Sequence, residues 1–391
     1  MKKVVFILMI ALFGMLDIHA DEPNDSVQIS LLTCSPGAEV YNLFGHTAIR
    51  YQNKKQLVDV VFNYGMFDFR KPHFVFRFTL GQTDYELGIE DYQEFLANYA
   101  QQGRNVEEQV LNLTPEEKNR LSELLMKNYL PENRVYRYNF FYDNCSTRPR
   151  DKIEESIFGK VVYPTFNEKL SFRDIIHQYT VGHPWARFSI DLCLGAAADK
   201  PITQRLMMFC PFYLRNFVAN AKIVSQTGTR PLVSHYNKLL ISQSTQHEKG
   251  FFPTPLQCAL CLFIVVTGLT IYGLRKKKSL WGLDLVLFTA AGLGGCIIAF
   301  LMLFSTHPTV SSNFQILVLH PFYLFCLPWV LIAERTHRKS TPMILFTVIL
   351  TLFIVLFAFI PQKFDFAIVP LALSLLVRSL SHIILTYKNK K

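Results

Sequence analysis

Charge is scarce in the last third of this chain. Acidic and basic residues are spread evenly through 21–248, but from Thr254 onward they shrink to short clusters between long apolar runs. Half of the 391 residues are hydrophobic and 34 are phenylalanine, which excludes one soluble domain around one core. Other carriers of function are missing as well. The eleven histidines include no H-E-x-x-H, no Cys/His set has zinc spacing, and neither G-x-S-x-G nor a Walker loop occurs. Metal, serine-elbow and nucleotide chemistry therefore have no motif to stand on, and no metal or cofactor is expected. No C-x-x-C joins Cys34, Cys145, Cys193 and Cys210, the cysteines ahead of the apolar runs. Cys258 and Cys261 have that spacing inside an apolar run, where two small lipid-compatible residues are the simpler reading. A Cys193–Cys210 disulfide is open to the chain in an oxidising compartment.

What is present starts with an export signal. Met1-Lys2-Lys3, an apolar run over 4–16, Asp17 and the small Ala20 form a secretory signal whose core is shorter than the roughly 20 residues of a membrane span. Cleavage after Ala20 is expected. Five later stretches, 255–274, 281–304, 314–333, 342–360 and 366–385, are long and apolar enough to cross a bilayer. Arg275 to Lys278, then Arg335, Arg338 and Lys339, then Lys388, Lys390 and Lys391 fall on one side, while the alternate loops 305–313 and 361–365 hold only Lys363. The basic side is cytoplasmic by the positive-inside rule, so 21–250 lies outside and the C-terminus inside. The expected division is a signal over 1–20, an exported domain over 21–250 and a five-helix transmembrane domain over 251–391. The net charge of +10 is concentrated in the topogenic loops. Nucleic acid is therefore set aside as a partner, and the membrane is the partner expected.

Within the exported part, alternation and turn residues predict strands at 27–33, 46–51, 57–64, 74–80, 84–89, 107–113 and 135–142. Helices are expected briefly at 38–43, at 90–99, and from the Thr114 N-cap with Pro115 to Tyr129. The fold class is α+β with a largely antiparallel sheet. A hairpin turn centred on Lys54 and Lys55 sets His46 opposite Asn63.

The strongest local chemistry lies in Asp143-Asn144-Cys145-Ser146-Thr147-Arg148-Pro149-Arg150-Asp151. Pro149 suits the first turn of a helix running through Ile153 and Ile157, which puts Cys145 just ahead of its N-terminus. Free N–H groups and the helix dipole, with Arg148 or Arg150, are expected to lower the thiol pKa from about 8.5 and to form an oxyanion hole. A cysteine ahead of a helix is by itself more often a small core residue. His46 changes the balance by offering a base, with Asn63 to fix its tautomer, or Asp59 or Tyr64 if the register differs. Asp191 and Asp199 flank Leu194-Gly195-Ala196, where helix-capping and surface roles outweigh substrate contact.

Four segments carry a family resemblance: Leu32-Thr33-Cys34-Ser35-Pro36-Gly37, Phe44-Gly45-His46-Thr47-Ala48-Ile49-Arg50, Phe62-Asn63-Tyr64-Gly65 and Tyr138-Asn139-Phe140-Phe141-Tyr142-Asp143-Asn144-Cys145. They resemble the Lnb-type lipoprotein N-acyltransferases of Gram-negative envelopes, and Ile190-Asp191-Leu192, Ala198-Asp199-Lys200 and Ser305-Thr306-His307-Pro308 match further on. The resemblance spans nearly the whole chain after the signal. It implies a circularly permuted papain-like (NlpC-type) periplasmic domain on the transmembrane bundle, with His before Cys as in lecithin:retinol acyltransferase. Cys145 is then the nucleophile, His46 the general base and Asn63 or a nearby polar residue the orienting group. Asn144, Tyr64, Arg148 and His307 are expected to contact substrate. The implied donor is a phospholipid and the implied acceptor a diacylated lipoprotein, at the outer face of the bacterial inner membrane. Phe140, Phe141, Phe251, Phe252 and the His307 loop are expected along the acyl path or as interface anchors. One departure is Cys210, where the family pattern has leucine. An NlpC-like cell-wall peptidase or amidase fits the same thiol, and a non-catalytic membrane receptor fits the same fold. The bundle disfavours the peptidase, and a Cys145→Ala variant separates the receptor.

Overall fold

A computed structural model describes residues 26–68, 70, 72–242 and 252–388. The expected signal at 1–20, Phe251, Lys390 and Lys391 lie outside the described residues. Ten strands are described: β1 (Val27–Cys34), β2 (His46–Asn53), β3 (Val58–Met66), β4 (Asp84–Asp91), β5 (Val106–Leu111), β6 (Val135–Arg137), β7 (Lys160–Val162), β8 (Lys222–Ser225), β9 (Gly228–Pro231) and β10 (Val233–Leu240). The helices ahead of the spans are α1 (Phe74–Thr79), α2 (Tyr92–Gln101), α3 (Pro115–Tyr129), α4 (Thr147–Ser156), α5 (Phe172–Tyr179), α6 (Pro184–Cys193), α7 (Gln204–Met207) and α8 (Pro211–Ala219).

Seven strands form one antiparallel sheet in the order β10-β5-β1-β2-β3-β4-β6, and β7-β8-β9 form a second. Strand β1 is buried along almost its whole length because α8 and α3 lie against it. Helix α3 starts as its sequence predicts, with a capping box between Thr114 and Glu117 and Pro115 in the first turn. The β2–β3 hairpin differs from expectation by two residues. Ile49 faces Phe62 and Asn53 faces Val58, because the turn takes in Lys54 to Leu57 with Asn53 Oδ1 accepting from the backbone N–H groups of Lys55 and Gln56. A shift of two keeps every side chain on its expected face.

The run 74–80, expected as a strand, forms helix α1 instead, and the run 135–142 is a strand only as far as Arg137. Phenylalanines at 74, 76 and 78 alternate as in a strand, but the segment docks on the transmembrane half. Thr306 donates its backbone N–H to Leu80 O, His307 Nε2 donates to Phe78 O at 2.8 Å, and the Phe76 ring meets Phe300. Tertiary contact overrides period here.

Among the described residues five helices are long and apolar enough to cross a membrane, at Pro255–Lys276, Trp281–Phe304, Phe314–Thr336, Thr341–Phe359 and Ile368–Thr386. Their regular α segments are α9 (Pro255–Lys276), α10 (Trp281–Phe304), α11 (Phe322–Thr336), α12 (Thr341–Leu356) and α13 (Ile368–Lys388). Phe288, Tyr323, Phe346, Leu350 and Phe353 fill the bundle core. Buried charge inside it is paired: Arg378 forks onto Asp284 at 2.6 and 2.8 Å, and His382 Nδ1 meets Glu334 at 2.8 Å.

Candidate active site

Strand β2 begins at His46, opposite Cys34 at the end of β1. Gly45 makes that junction with φ +81°, and a Cβ there would lie 2.7 Å from Cys34 O. His46 Nε2 lies 2.8 Å from Asn63 Oδ1. The orientation of the Asn63 amide is fixed independently, since its Nδ2 donates to Glu90 Oε1 and its Oδ1 accepts from Gly65 N. His46 must therefore donate through Nε2–H, which leaves Nδ1 as the basic atom. Continued along the hairpin, the register sets Gly65 opposite His46. A Cβ at Gly65 would come 2.5 Å from the imidazole Cε1, so only glycine leaves room for the ring. His46 touches Asn63 despite the register difference, because the ring reaches it diagonally on the same face. Asp59, the substitute, is occupied by Arg50 in a bidentate pair.

Cys145 sits in a loop just before α4, as its sequence predicts. Asn144 builds that loop. Its Oδ1 accepts from Ser146 N and Thr147 N, and its Nδ2 donates to Phe140 O and Phe209 O, so the whole side chain holds backbone in place. Asn144 thus positions the cysteine and is itself buried. The Ser146 and Thr147 N–H groups it takes are not available as an oxyanion hole. The loop is tied to β2 through Thr47 Oγ1 and Ser146 Oγ, 3.1 Å apart, and the backbone N–H of Thr47 points at the Cys145 thiol. The sulfur therefore lies against the residue that follows His46.

Burial pushes the Cys145 thiol above its ordinary value, opposed by the Thr47 N–H, the Ser146 hydroxyl, the residue's own N–H and the charge of Arg104. The expected lowering by Arg148 or Arg150 does not occur. Arg148 forks onto Asp143 at 2.6 and 2.8 Å and stacks on Tyr136, while Arg150 is taken by Asp151 and by Arg205 O. Burial draws the His46 imidazole down to about 4, against the Asn63 hydrogen bond, which raises it. At neutral pH Cys145 is therefore a thiol and His46 an uncharged imidazole.

Arg104 is a residue that the sequence reading missed. It is 5% exposed, donates to Ser35 O and Gln102 Oε1, lies over the Tyr99 ring, and has no carboxylate partner among the described residues. Its Nη2 is buried without a hydrogen-bond partner there. Its charge reaches Cys34, His46 and Cys145 alike. No local pattern announces it, since it follows a turn on the far side of the sheet register.

The remaining expected residues are placed as follows. Tyr64 is fully buried, donates to Asn128 Oδ1 and accepts from Tyr136, which makes it a core residue. Phe141 packs in the core against Phe172 and Phe209, away from any lipid-facing surface. Phe252 is exposed and meets Trp185, whose indole donates to Pro253 O. His307 clamps α1. Cys34 and Cys210 are buried, and burial pushes each up to about 12, which disfavours a thiolate at either. Cys193 and Cys210 are free, not bridged. Asp191 and Asp199 are neither caps nor surface groups, for Arg173 binds both. Among the described residues no group of His, Cys, Asp or Glu has metal-binding geometry.

From the thiol an aromatic series leads toward the spans. Tyr85, Tyr136 and Tyr138 lie close enough to Cys145 that its charge adds to the burial raising their phenols. Tyr138 stacks on Tyr85 at 4.0 Å, Tyr85 on Phe67 at 4.8 Å, Phe67 on Phe74 at 5.7 Å and Phe74 on Phe78 at 6.4 Å. Phe78 meets His307 on the outer loop at 5.7 Å.

Two family models match the chain: the Lnb N-terminal periplasmic domain over 18–180 and the Lnb transmembrane domain over 246–390. No curated protein and no solved structure matches it. The two matches together take in most of the sequence, and they fall in the order that the five apolar helices and the antiparallel sheet require. The protein is a multi-pass membrane protein with a periplasmic domain, and it belongs to the Lnb family, with the architecture of the Lnb-type lipoprotein N-acyltransferases.

Proposed function

We propose that the protein transfers an acyl chain from a phospholipid, through a thioester on Cys145, to the α-amine of a diacylglyceryl-cysteine lipoprotein. His46 Nδ1 takes the thiol proton as the sulfur attacks the ester carbonyl. The carbon–oxygen bond to glycerol breaks, the imidazolium returns the proton to the leaving alkoxide, and a lysophospholipid departs. The lipoprotein amine then attacks the thioester, His46 accepts its proton, and the carbon–sulfur bond breaks as the imidazolium passes that proton to the sulfur, which regenerates the thiol and the neutral base. The backbone N–H groups of Thr47 and Cys145, which lie against the thiol, serve the developing oxyanion. The observation that carries this reading is the His46–Asn63 hydrogen bond, which leaves a basic Nδ1 on a strand whose next residue touches the Cys145 thiol.

In this reading the exported domain runs over 21–250 after removal of a signal at 1–20, and 251–391 holds it on the outer face of the inner membrane with its C-terminus in the cytoplasm. Both substrates are lipid-anchored, so confinement beside the bilayer raises their effective concentration. The aromatic series from Tyr138 to Phe78 is the path offered to the acyl chain.

Mass spectrometry of a lipoprotein's N-terminal peptide tests it. Cells with the wild-type protein should carry an amide-linked chain, and cells with Cys145→Ser should lose it. Unchanged acylation in the variant refutes the proposal. A wild-type function that survives Cys145→Ala points to a receptor, and cleavage of cell-wall peptide points to the peptidase.

A further inference from the structure

Where the exported part meets the outer ends of the spans, a cavity of about 990 Å³ lies among residues of both halves. Its bundle side is apolar, with Phe357, Ile360, Phe364 and Phe366, and Phe366 is 69% exposed, so this wall continues onto the outside of the bundle. Its other side is ionic. Most of those charges are matched: His177 Nε2 meets Asp191, Asp199 accepts from Arg173, and Lys363 Nζ meets Asp174 at 2.5 Å. Two cations are not. The Arg187 guanidinium makes one hydrogen bond among the described residues, from Nη2 to His177 Nδ1 at 3.0 Å, and its buried Nε has no partner there. Lys200 forms no ion pair among the described residues and is exposed at the rim.

We propose that this cavity binds an anionic phospholipid, with its phosphodiester between Arg187 and Lys200 and the start of an acyl chain along Phe357, Phe364 and Phe366. A guanidinium without a carboxylate partner and an ammonium lining the same cavity suit a phosphate oxygen set. The apolar wall at membrane level suits hydrocarbon, and the volume exceeds the needs of a free phosphate ion. A lipoprotein's N-terminal amine is repelled by the same two cations, so the acceptor does not belong here. Cys145, His46 and Asn63 do not line the cavity, which makes it a second lipid site that does not depend on the thiol chemistry.

Native mass spectrometry of the full-length protein, titrated with phosphatidylglycerol or phosphatidylcholine, tests the site. The wild type should retain one phosphatidylglycerol with about tenfold or greater preference over phosphatidylcholine, from two uncompensated charges. The preference should persist in Cys145→Ser and vanish in the Arg187→Gln, Lys200→Gln double variant. Lys200→Glu alone, at an exposed position, should cut phosphatidylglycerol retention several-fold in a protein that still melts like wild type. Equal retention of the two lipids, or an unchanged preference in Lys200→Glu, overturns the proposal. Displacement of phosphatidylglycerol by millimolar inorganic phosphate overturns it in favour of a free-anion site.

Discussion

Asn63 matters because it decides which nitrogen of His46 is basic. Its amide is held from both ends, by Glu90 and by Gly65 N, so the imidazole receives one fixed acceptor and keeps Nδ1 free. In Asn63→Ala the ring loses its tautomer and its orientation, and the acyl-transfer rate should fall about ten- to a hundredfold, part of what a positioned base contributes. The pH profile gives a readout that a folding defect does not imitate. Burial holds His46 down at about 4 and the Asn63 bond works upward, so the wild-type rate should stay level from neutral pH down toward 4 and drop below it as the base protonates. Removing Asn63 takes away the raising influence, and the acid limb should move to still lower pH. A limb that stays in place or moves up refutes this assignment. The residues themselves were legible in the sequence, since His46, Asn63 and Cys145 stand in motifs. Arg104 was not, because a cation's reach to a thiol across a sheet has no sequence period.

At the scale of elements, α1 shows how a membrane neighbour rewrites local preference. Its alternation of phenylalanine reads as a strand, yet six residues form a helix whose Val75, Phe76 and Phe78 stay exposed next to the outer end of α10. Exposed aromatics at that level suit the membrane interface, and the series Phe78, Phe74, Phe67, Tyr85 and Tyr138 continues inward to the thiol. Phe76→Glu sets a charge on the exposed side of α1, where Phe76 meets Phe300 next to this series. Transfer from a vesicle phospholipid should weaken several-fold, seen as a raised KM, whereas acylation of Cys145 by a water-soluble short-chain ester should be unchanged. Equal loss with both donors means the helix supports the fold and not lipid access. The strand–helix difference could not be read from the chain, because the partner that stabilises α1 lies more than 200 residues away at Thr306 and His307.

For the molecule as a whole, one buried arginine organises the junction of the two halves. Arg173 is fully buried and binds Asp191 Oδ1 at 2.5 Å, Asp199 Oδ1 at 2.9 Å and the carbonyl of Leu194 at 2.9 Å. From the bundle side, Gln315 donates to Asp191 O, Asn313 to Leu192 O and Gln362 to Leu194 O. The segment from Asp191 to Gly195 is thus held by a periplasmic cation on one side and by amides of the spans' outer loops on the other. Arg173→Met leaves two carboxylates buried without their cation and should destabilise the protein by about 3–5 kcal/mol. Thermal unfolding in detergent checks this, and an unaltered transition would show that the network is not what joins the halves.

The chain by itself determined the class of this protein. Its long apolar runs, the spacing of basic loops and the alternation in the first half require spans and an antiparallel sheet whatever the details, since water and hydrocarbon sort side chains by period and length. It also marked Cys145, His46 and Asn63, and the hairpin's two-residue shift left His46 and Asn63 on one face. Only the tertiary structure decided the state of the thiol, because desolvation depends on what surrounds a group and not on its neighbours in sequence. The same holds for Arg148 and Tyr64, whose expected reach toward substrate is taken up by Asp143, Tyr136 and Asn128. It holds again for Asp191 and Asp199, where the arginine that buries them is set by packing between layers, a distance no local pattern encodes.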